Sequence, residues 1–197
     1  MRATLRTHLA RKIRKKQRIF WKKSAFKREK EEKMQKILVI REKNSVKTFD
    51  YTFQTRTFFT VCGYGYTIKL SGGSIVVCDG DGNKLSSRKG FNYLYTADIR
   101  PDAKQVFALE NGKHFYVFDL PDLSRGRRIT LPRGMECIDL YGKYSEDGTR
   151  LFVPAMRYGT RSYDYFLCEY ETQDYTLCGV KKTKRLCPWP SPRDADD

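Results

Sequence analysis

The spacing of apolar side chains changes once along this sequence, and the change separates two kinds of element. Residues 2–38 contain neither Pro nor Gly and are rich in Arg, Lys, Ala, Leu and Glu. Leu5, Leu9, Ile13 and Phe20 fall on one stripe at helical spacing, rejoined by Met34 and Leu38. Lys23, Lys27 and Glu31 interrupt the stripe, so the predicted helix frays between residues 22 and 32. Beyond residue 48 short apolar runs alternate with Gly, Asn and Asp turns, which predicts strands.

Two of these stretches can be laid over each other. The first runs through 93–100 (YLYTADIR), a turn at 101–104 (PDAK), 105–109 (QVFAL), a turn at 110–113 (ENGK) and 114–120 (HFYVFDL). The second runs through 137–144 (CIDLYGKY), a turn at 145–149 (SEDGT), 150–155 (RLFVPA), a turn at 158–161 (YGTR) and 163–170 (YDYFLCEY). Asp102 matches Asp147, 45 residues on, and Asp119 matches Glu169, 50 residues on. Upstream, 66–70 (YTIKL), a turn at 71–74 and 75–79 (IVVCD) repeat the middle hairpin, with Asp79 lying 40 residues before Asp119. Three hairpins at near-constant spacing indicate a repeat. The expected organisation is a basic helical extension over 1–44, a β domain over 48–180, and a Pro-rich, charged, disordered tail over 181–197.

An Asp-containing turn, a strand, a Gly turn and a strand ending in V-F-D-L resemble a blade of the WD-repeat and YncE-like β-propeller proteins, over roughly residues 57–180. Phe118-Asp119 stands where that family has Trp-Asp, Cys168-Glu169 stands there again, and no Gly-His pair opens a blade. The resemblance implies a mainly β fold of two to three four-stranded antiparallel propeller-like blades, a partial propeller carrying an N-terminal basic α-helix. It also implies a platform that binds a protein partner. A closed ring takes at least four blades. The expectation is therefore a piece of a longer propeller, copies that assemble as a homo-oligomer to complete the blade stack, or an open stack capped by the helix.

Composition adds an asymmetry of charge. Residues 1–44 carry 17 Lys and Arg against four Glu, a net +13, whereas the remainder carries 22 against 19 acids, a net +3. The candidate polyanion-binding residues are Arg11, Lys12, Arg14, Lys15, Lys16 and Arg18, with Trp21, Lys22 and Lys23 beside them. Phe20, Trp21 and Phe26 could stack on unpaired bases. Four readings of residues 1–33 stand side by side: a solvated extension, a nucleic-acid arm, a helix on an anionic membrane surface, and an organelle transit peptide.

The six cysteines lack C-x-x-C spacing and only His8 and His114 could supply imidazole, so no metal or other cofactor is expected. Cys62, Cys78 and Cys168 lie in apolar runs, which together with the lack of a signal-peptide core suggests a reducing, cytoplasmic compartment. No run approaches the ~18 apolar residues of a membrane span. Residues 79–83 (DGDGN) open like a calcium loop, but Lys84 and Gly90 occupy positions that such a loop gives to Gly and Glu; a hairpin turn is expected instead. No Gly-x-Ser-x-Gly, P-loop or carboxylate pair is present, so no catalytic residue is assigned. The sequence thus reads as a non-enzymatic binding or scaffold protein, with nucleic-acid association through the basic helix as the alternative. Strand alternation places Val106, Ala108, Phe115, Val117, Leu151, Val153, Phe166 and Cys168 in the core, and Asp102, Asn111, Asp147 and Gly159 in exposed turns.

Overall fold

The computed structural model describes residues 37–50, 58–137, 142–159 and 162–183. The described residues form thirteen strands and no helix. Strands β1 (Ile37–Arg41), β2 (Ser45–Asp50), β3 (Phe59–Gly63), β4 (Tyr66–Leu70), β5 (Gly72–Asp79), β6 (Lys84–Ile99), β7 (Gln105–Glu110), β8 (His114–Asp119) and β9 (Arg127–Thr130) follow one another in chain order across one sheet. Strands β10 (Lys143–Tyr144), β11 (Arg150–Tyr158), β12 (Tyr163–Glu171) and β13 (Leu177–Thr183) form a second. Each meander is antiparallel, as short turns between successive strands require.

Strand β6 serves two meanders. Residues 84–89 pair with β5, whereas 94–99 pair with β7, Leu94 also lying opposite Gly72 of β5. Gly90, at φ +96°, lies between the two halves, where a side chain would be strained. Three four-strand units result: β3 to the first half of β6, with β2 and β1 added along β3; the second half of β6 to β9; and β10 to β13.

Directly opposite residues in an antiparallel pair share a face of the sheet. Ile68, Leu70, Ile75 and Val77 of the first unit therefore meet Val106, Ala108 and Phe118 of the second, all at most 1% exposed. The opposite face of the second unit, Phe107, Leu109, Phe115 and Val117, meets Leu151, Val153, Cys168 and Tyr170 of the third. Each large side chain so buried contributes about 1.5–3 kcal/mol. Polar side chains lock the second joint. The Tyr175 hydroxyl donates to Gln105 Oε1 at 2.7 Å and pairs with the Tyr144 hydroxyl at 3.0 Å, while Gln105 Nε2 donates to Asp119 at 2.9 Å.

The expected core is observed for Val106, Ala108, Phe115, Val117, Leu151, Val153 and Cys168, and Asp102, Asn111 and Asp147 are exposed. Two of the expectations need correction. Phe166 is half-buried toward the turn of the long β11–β12 hairpin, with the Arg157 guanidinium 5.4 Å from its ring centroid. Gly159 is half-buried, and its amide donates to Ser162 O at 2.8 Å. Residues 37–41, expected at the end of a helix, are strand β1, and β13 extends to Thr183 inside the expected tail.

The repeat register also shifts. Tyr66 pairs with Asp79, Gln105 with Asp119, and Arg150 with Glu171. The structural equivalent of Asp119 is therefore Glu171, two residues beyond Glu169. The β11–β12 hairpin has nine paired positions against five in β7–β8, and its extra length displaces the end of β12. A shift of two preserves which side chains face the core.

Candidate functional site

The expected polyanion-binding residues Arg11, Lys12, Arg14, Lys15, Lys16, Arg18, Trp21, Lys22 and Lys23 lie outside the described residues. Within the β domain, the outer faces of the first and third units differ in chemistry. Register assigns Phe152, Pro154, Met156, Tyr165 and Leu167 to the face of the third unit that points away from the second. Phe152, Met156, Tyr165 and Leu167 belong to neither core and are half-buried, and Pro154 is buried. At the tip of the same face Tyr158 and Tyr163 pair edge-to-face at 5.2 Å, and are 70% and 46% exposed. The corresponding outer face of the first unit carries Thr60, Thr67 and Lys69 with Cys62 and Val76. The outer face of the third unit thus carries the larger apolar side chains, with Lys143 and Glu169 opposite Phe152 and Lys181 opposite Leu167 on the same side.

These apolar positions have an internal counterpart. Counting from Gln105 and Arg150, Phe152 occupies the place of Phe107, Pro154 that of Leu109, and Leu167 that of Phe115. In the second unit those positions are fully buried beneath the third. Charges of both signs border the face. Arg150 reaches Glu169 at 3.3 Å and Glu171 at 2.6 Å, and Lys181 lies opposite Leu167.

A second feature is a cleft of about 290 Å³ where the turn after β1 meets the end of β6 and the turn after β10. Glu42, Asp98, Lys143 and Tyr144 are among its lining residues. Beside it the Lys47 ammonium, 2% exposed, lies 3.0 Å from Asp98 Oδ1 and donates to Glu42 Oε2 at 3.1 Å. The Tyr144 amide donates to Asp98 Oδ2 at 2.9 Å. Burial alone would lower the Lys47 pKa, but Asp98 and Glu42 overcome it and hold the ammonium above the usual lysine range. Burial tends to raise the Glu42 carboxyl, yet Lys47 and Ser45 bring it below the ordinary value. For Asp98 burial dominates and pushes the carboxyl up, against the pull of Lys47 and the Tyr144 amide. An amine engaged by two carboxylates is a poor nucleophile, so this cluster ties β2 to β6 and β10 and offers no evident chemistry.

The repeated aspartates are turn-formers. Asp102 Oδ1 accepts from the Lys104 amide at 3.0 Å, and Asp147 Oδ1 accepts from the Thr149 amide at the same distance. Hydrogen bonds from Ser145 and Thr149 bring the Asp147 pKa down to about 2. Asp79 accepts from the amides of Asp81 and Asn83, as expected of a hairpin turn. His114 is half-buried at the start of β8, with Nδ1 3.2 Å from Thr130 Oγ1. Cys62, placed by its apolar context among buried residues, is exposed; Cys78 and Cys168 are buried. Burial pushes the Cys168 thiol up to about 11 and that of Cys137 further still. Among the described residues no cluster of His, Cys, Asp and Glu could hold a metal ion, and no helix is long and apolar enough to cross a membrane.

No family model and no curated protein matches the chain. Among solved structures, hydrazine synthase of Kuenenia stuttgartiensis is similar, with a TM-score of 0.47 and 16% identity over 75% of this chain and 46% of that one. The Cps50 (Swd1) β-propeller domain of Myceliophteria thermophila is similar with a TM-score of 0.49 and 13% identity, over 75% of this chain and 60% of that one. The chain thus spans 46% and 60% of the length of these two structures.

Proposed function

We propose that this chain is a propeller-derived, non-catalytic binding or scaffold protein that engages a protein partner through the outer face of its third four-stranded unit. The observation that supports the reading is the repeat of Phe107, Leu109 and Phe115 as Phe152, Pro154 and Leu167 at the end of the stack. Exposed tyrosines beside an apolar patch are the side chains that dominate binding energy at protein interfaces. A cytoplasmic setting accords with five free cysteines among the described residues. A photo-crosslinking residue at Tyr163 in the full chain, expressed in cells, is expected to capture protein. The same residue at Lys69 on the polar face is expected to capture little. Equal capture at both, or none at Tyr163, contradicts the reading.

The concentration of positive charge in residues 1–44 favours a second reading, association with a nucleic acid through the arm. Deleting residues 1–33 should then abolish salt-sensitive binding to DNA or RNA, and replacing Arg14, Lys15, Lys16 and Arg18 with Gln should weaken it across sequences. Equal binding by the full and shortened chains removes the arm from the account, and binding to anionic vesicles alone moves it to a membrane surface.

A further inference from the structure

We propose that the last strands of the three units together form a basic rim that binds the phosphate backbone of a nucleic-acid duplex. The inference rests on the second reading above, association with a nucleic acid, and adds to it a contact surface on the β domain. Each unit ends in a strand paired on one side only: residues 84–89 (KLSSRK) of β6, β9 (RRIT) and β13 (LCGVKKT). These three stretches hold seven Lys and Arg and no Asp or Glu. The rest of residues 45–197 carries 15 basic against 19 acidic side chains, so the excess of positive charge in the β domain is gathered on these strands. All seven cations are exposed. Among the described residues only Lys182 of the seven is ion-paired, with Asp164 at 2.7 Å.

Hydrogen bonds set the three strands in succession. The Ser86 hydroxyl donates to Pro121 O at 2.5 Å and Arg88 Nη1 donates to Leu123 O at 3.3 Å, so residues 84–89 border the turn that leads into β9. Arg127 Nη1 donates to Asp174 O at 3.4 Å, so β9 borders the turn that leads into β13. Asp79, Asp81, Asp122 and Asp174 lie in the turns before the strands, where Asp79, Asp122 and Asp174 accept backbone amides. Glu169 and Glu171 of the neighbouring β12 are held by Arg150. Charge of either sign on an edge strand discourages pairing with another sheet, so protection of the edge does not account for one sign on all three. A succession of cations matches a phosphate backbone. The three stretches carry no aromatic side chain on which an unpaired base could stack, which favours a duplex held without regard to sequence.

The test is binding of the full chain, over a salt series, to a mixed-sequence DNA duplex, a single strand of the same length and phosphatidylserine vesicles. A rim variant combines Lys89→Gln, Arg128→Gln and Lys181→Gln, one from each unit. A control variant, Lys43→Gln with Lys69→Gln and Lys104→Gln, removes the same charge away from the outer strands. The rim variant should bind the duplex roughly tenfold or more weakly and lower the slope of log K against log salt by about 2–3, since each phosphate contact contributes about 0.9. The control should stay within about twofold of the parent chain, and both should retain its circular dichroism spectrum. Lys89→Arg with Arg128→Lys and Lys181→Arg, which keeps every charge, should bind as the parent does. Equal effects of the rim and control variants, or loss confined to the single strand or the vesicles, overturn the rim. In parallel, Arg14→Gln with Lys15→Gln, Lys16→Gln and Arg18→Gln tests the arm. Loss of duplex binding with the arm variant alone refutes the rim and keeps the arm, whereas loss with the rim variant alone keeps the rim and removes the arm. A full chain that binds no duplex at any salt refutes both.

Discussion

Replacing Lys47 with Met is expected to destabilise the β domain by about 3–5 kcal/mol, as removal of one partner from a buried ion pair does. Methionine fills nearly the same volume, so the loss is electrostatic. Asp98, 5% exposed, would keep its hydrogen bond from the Tyr144 amide but lose the cation 3.0 Å away. A carboxylate left in that position must protonate or draw in water. The control is Lys47→Met combined with Asp98→Asn, which keeps an oxygen acceptor for Tyr144 and removes the stranded charge. The double variant should recover much of the stability in urea unfolding. A single variant within about 1 kcal/mol of the parent chain would mean that the pair is solvated.

Phe107→Ala is expected to cost about 3–5 kcal/mol and to loosen the third unit before the others. Phe107 is fully buried at the joint between the second and third units, with its ring 5.6 Å from Tyr144. It also packs over Gly142, where an added Cβ would meet the ring at 2.5 Å, so the backbone before β10 is fitted to this side chain. The truncation leaves a cavity beneath β10 and β11 while the joint between the first and second units stays intact. Hydrogen exchange should therefore show lost protection in β11 and β12 and little change in β4 and β5. Uniform loss across all strands would mean that the units do not open separately.

The central hairpins were legible because alternation there is simple: 105–109 and 115–119 each place one apolar set on either side, and their turns carry Asn, Gly and Asp. The end of the third unit was legible only in part, because matching acidic residues by their neighbours selected Glu169, whereas pairing with Arg150 selects Glu171. Strand β1 was missed although it contains the apolar run Ile37-Leu38-Val39-Ile40, three of whose residues are β-branched, because Leu38 also completes a helical stripe. Strand β2 was obscured by a lysine at a buried position; its buried set is Ser45, Lys47 and Phe49, and only the first and last look ordinary in sequence. Nothing local to Lys47 announces Asp98, its partner from a distant strand. The make-up of the two outer faces was equally hidden. It emerges only when register shows which member of each alternating strand points toward a neighbour.

Cysteine accessibility tests that assignment of faces most directly, since the chain carries reporters on the relevant sides. Cys62 lies on the outer face of the first unit, and Cys168 on the inner face of the third, one residue from outward-facing Leu167. The measurement is the rate of thiol alkylation at each cysteine of the unmodified, folded chain, read by peptide mass spectrometry. Cys62 and Cys178 are expected to react promptly, while Cys78, Cys137 and Cys168 stay protected until the chain is unfolded. Alkylation of Cys168 as fast as that of Cys62 would place the inner face of the third unit in water and contradict the stack of three packed units.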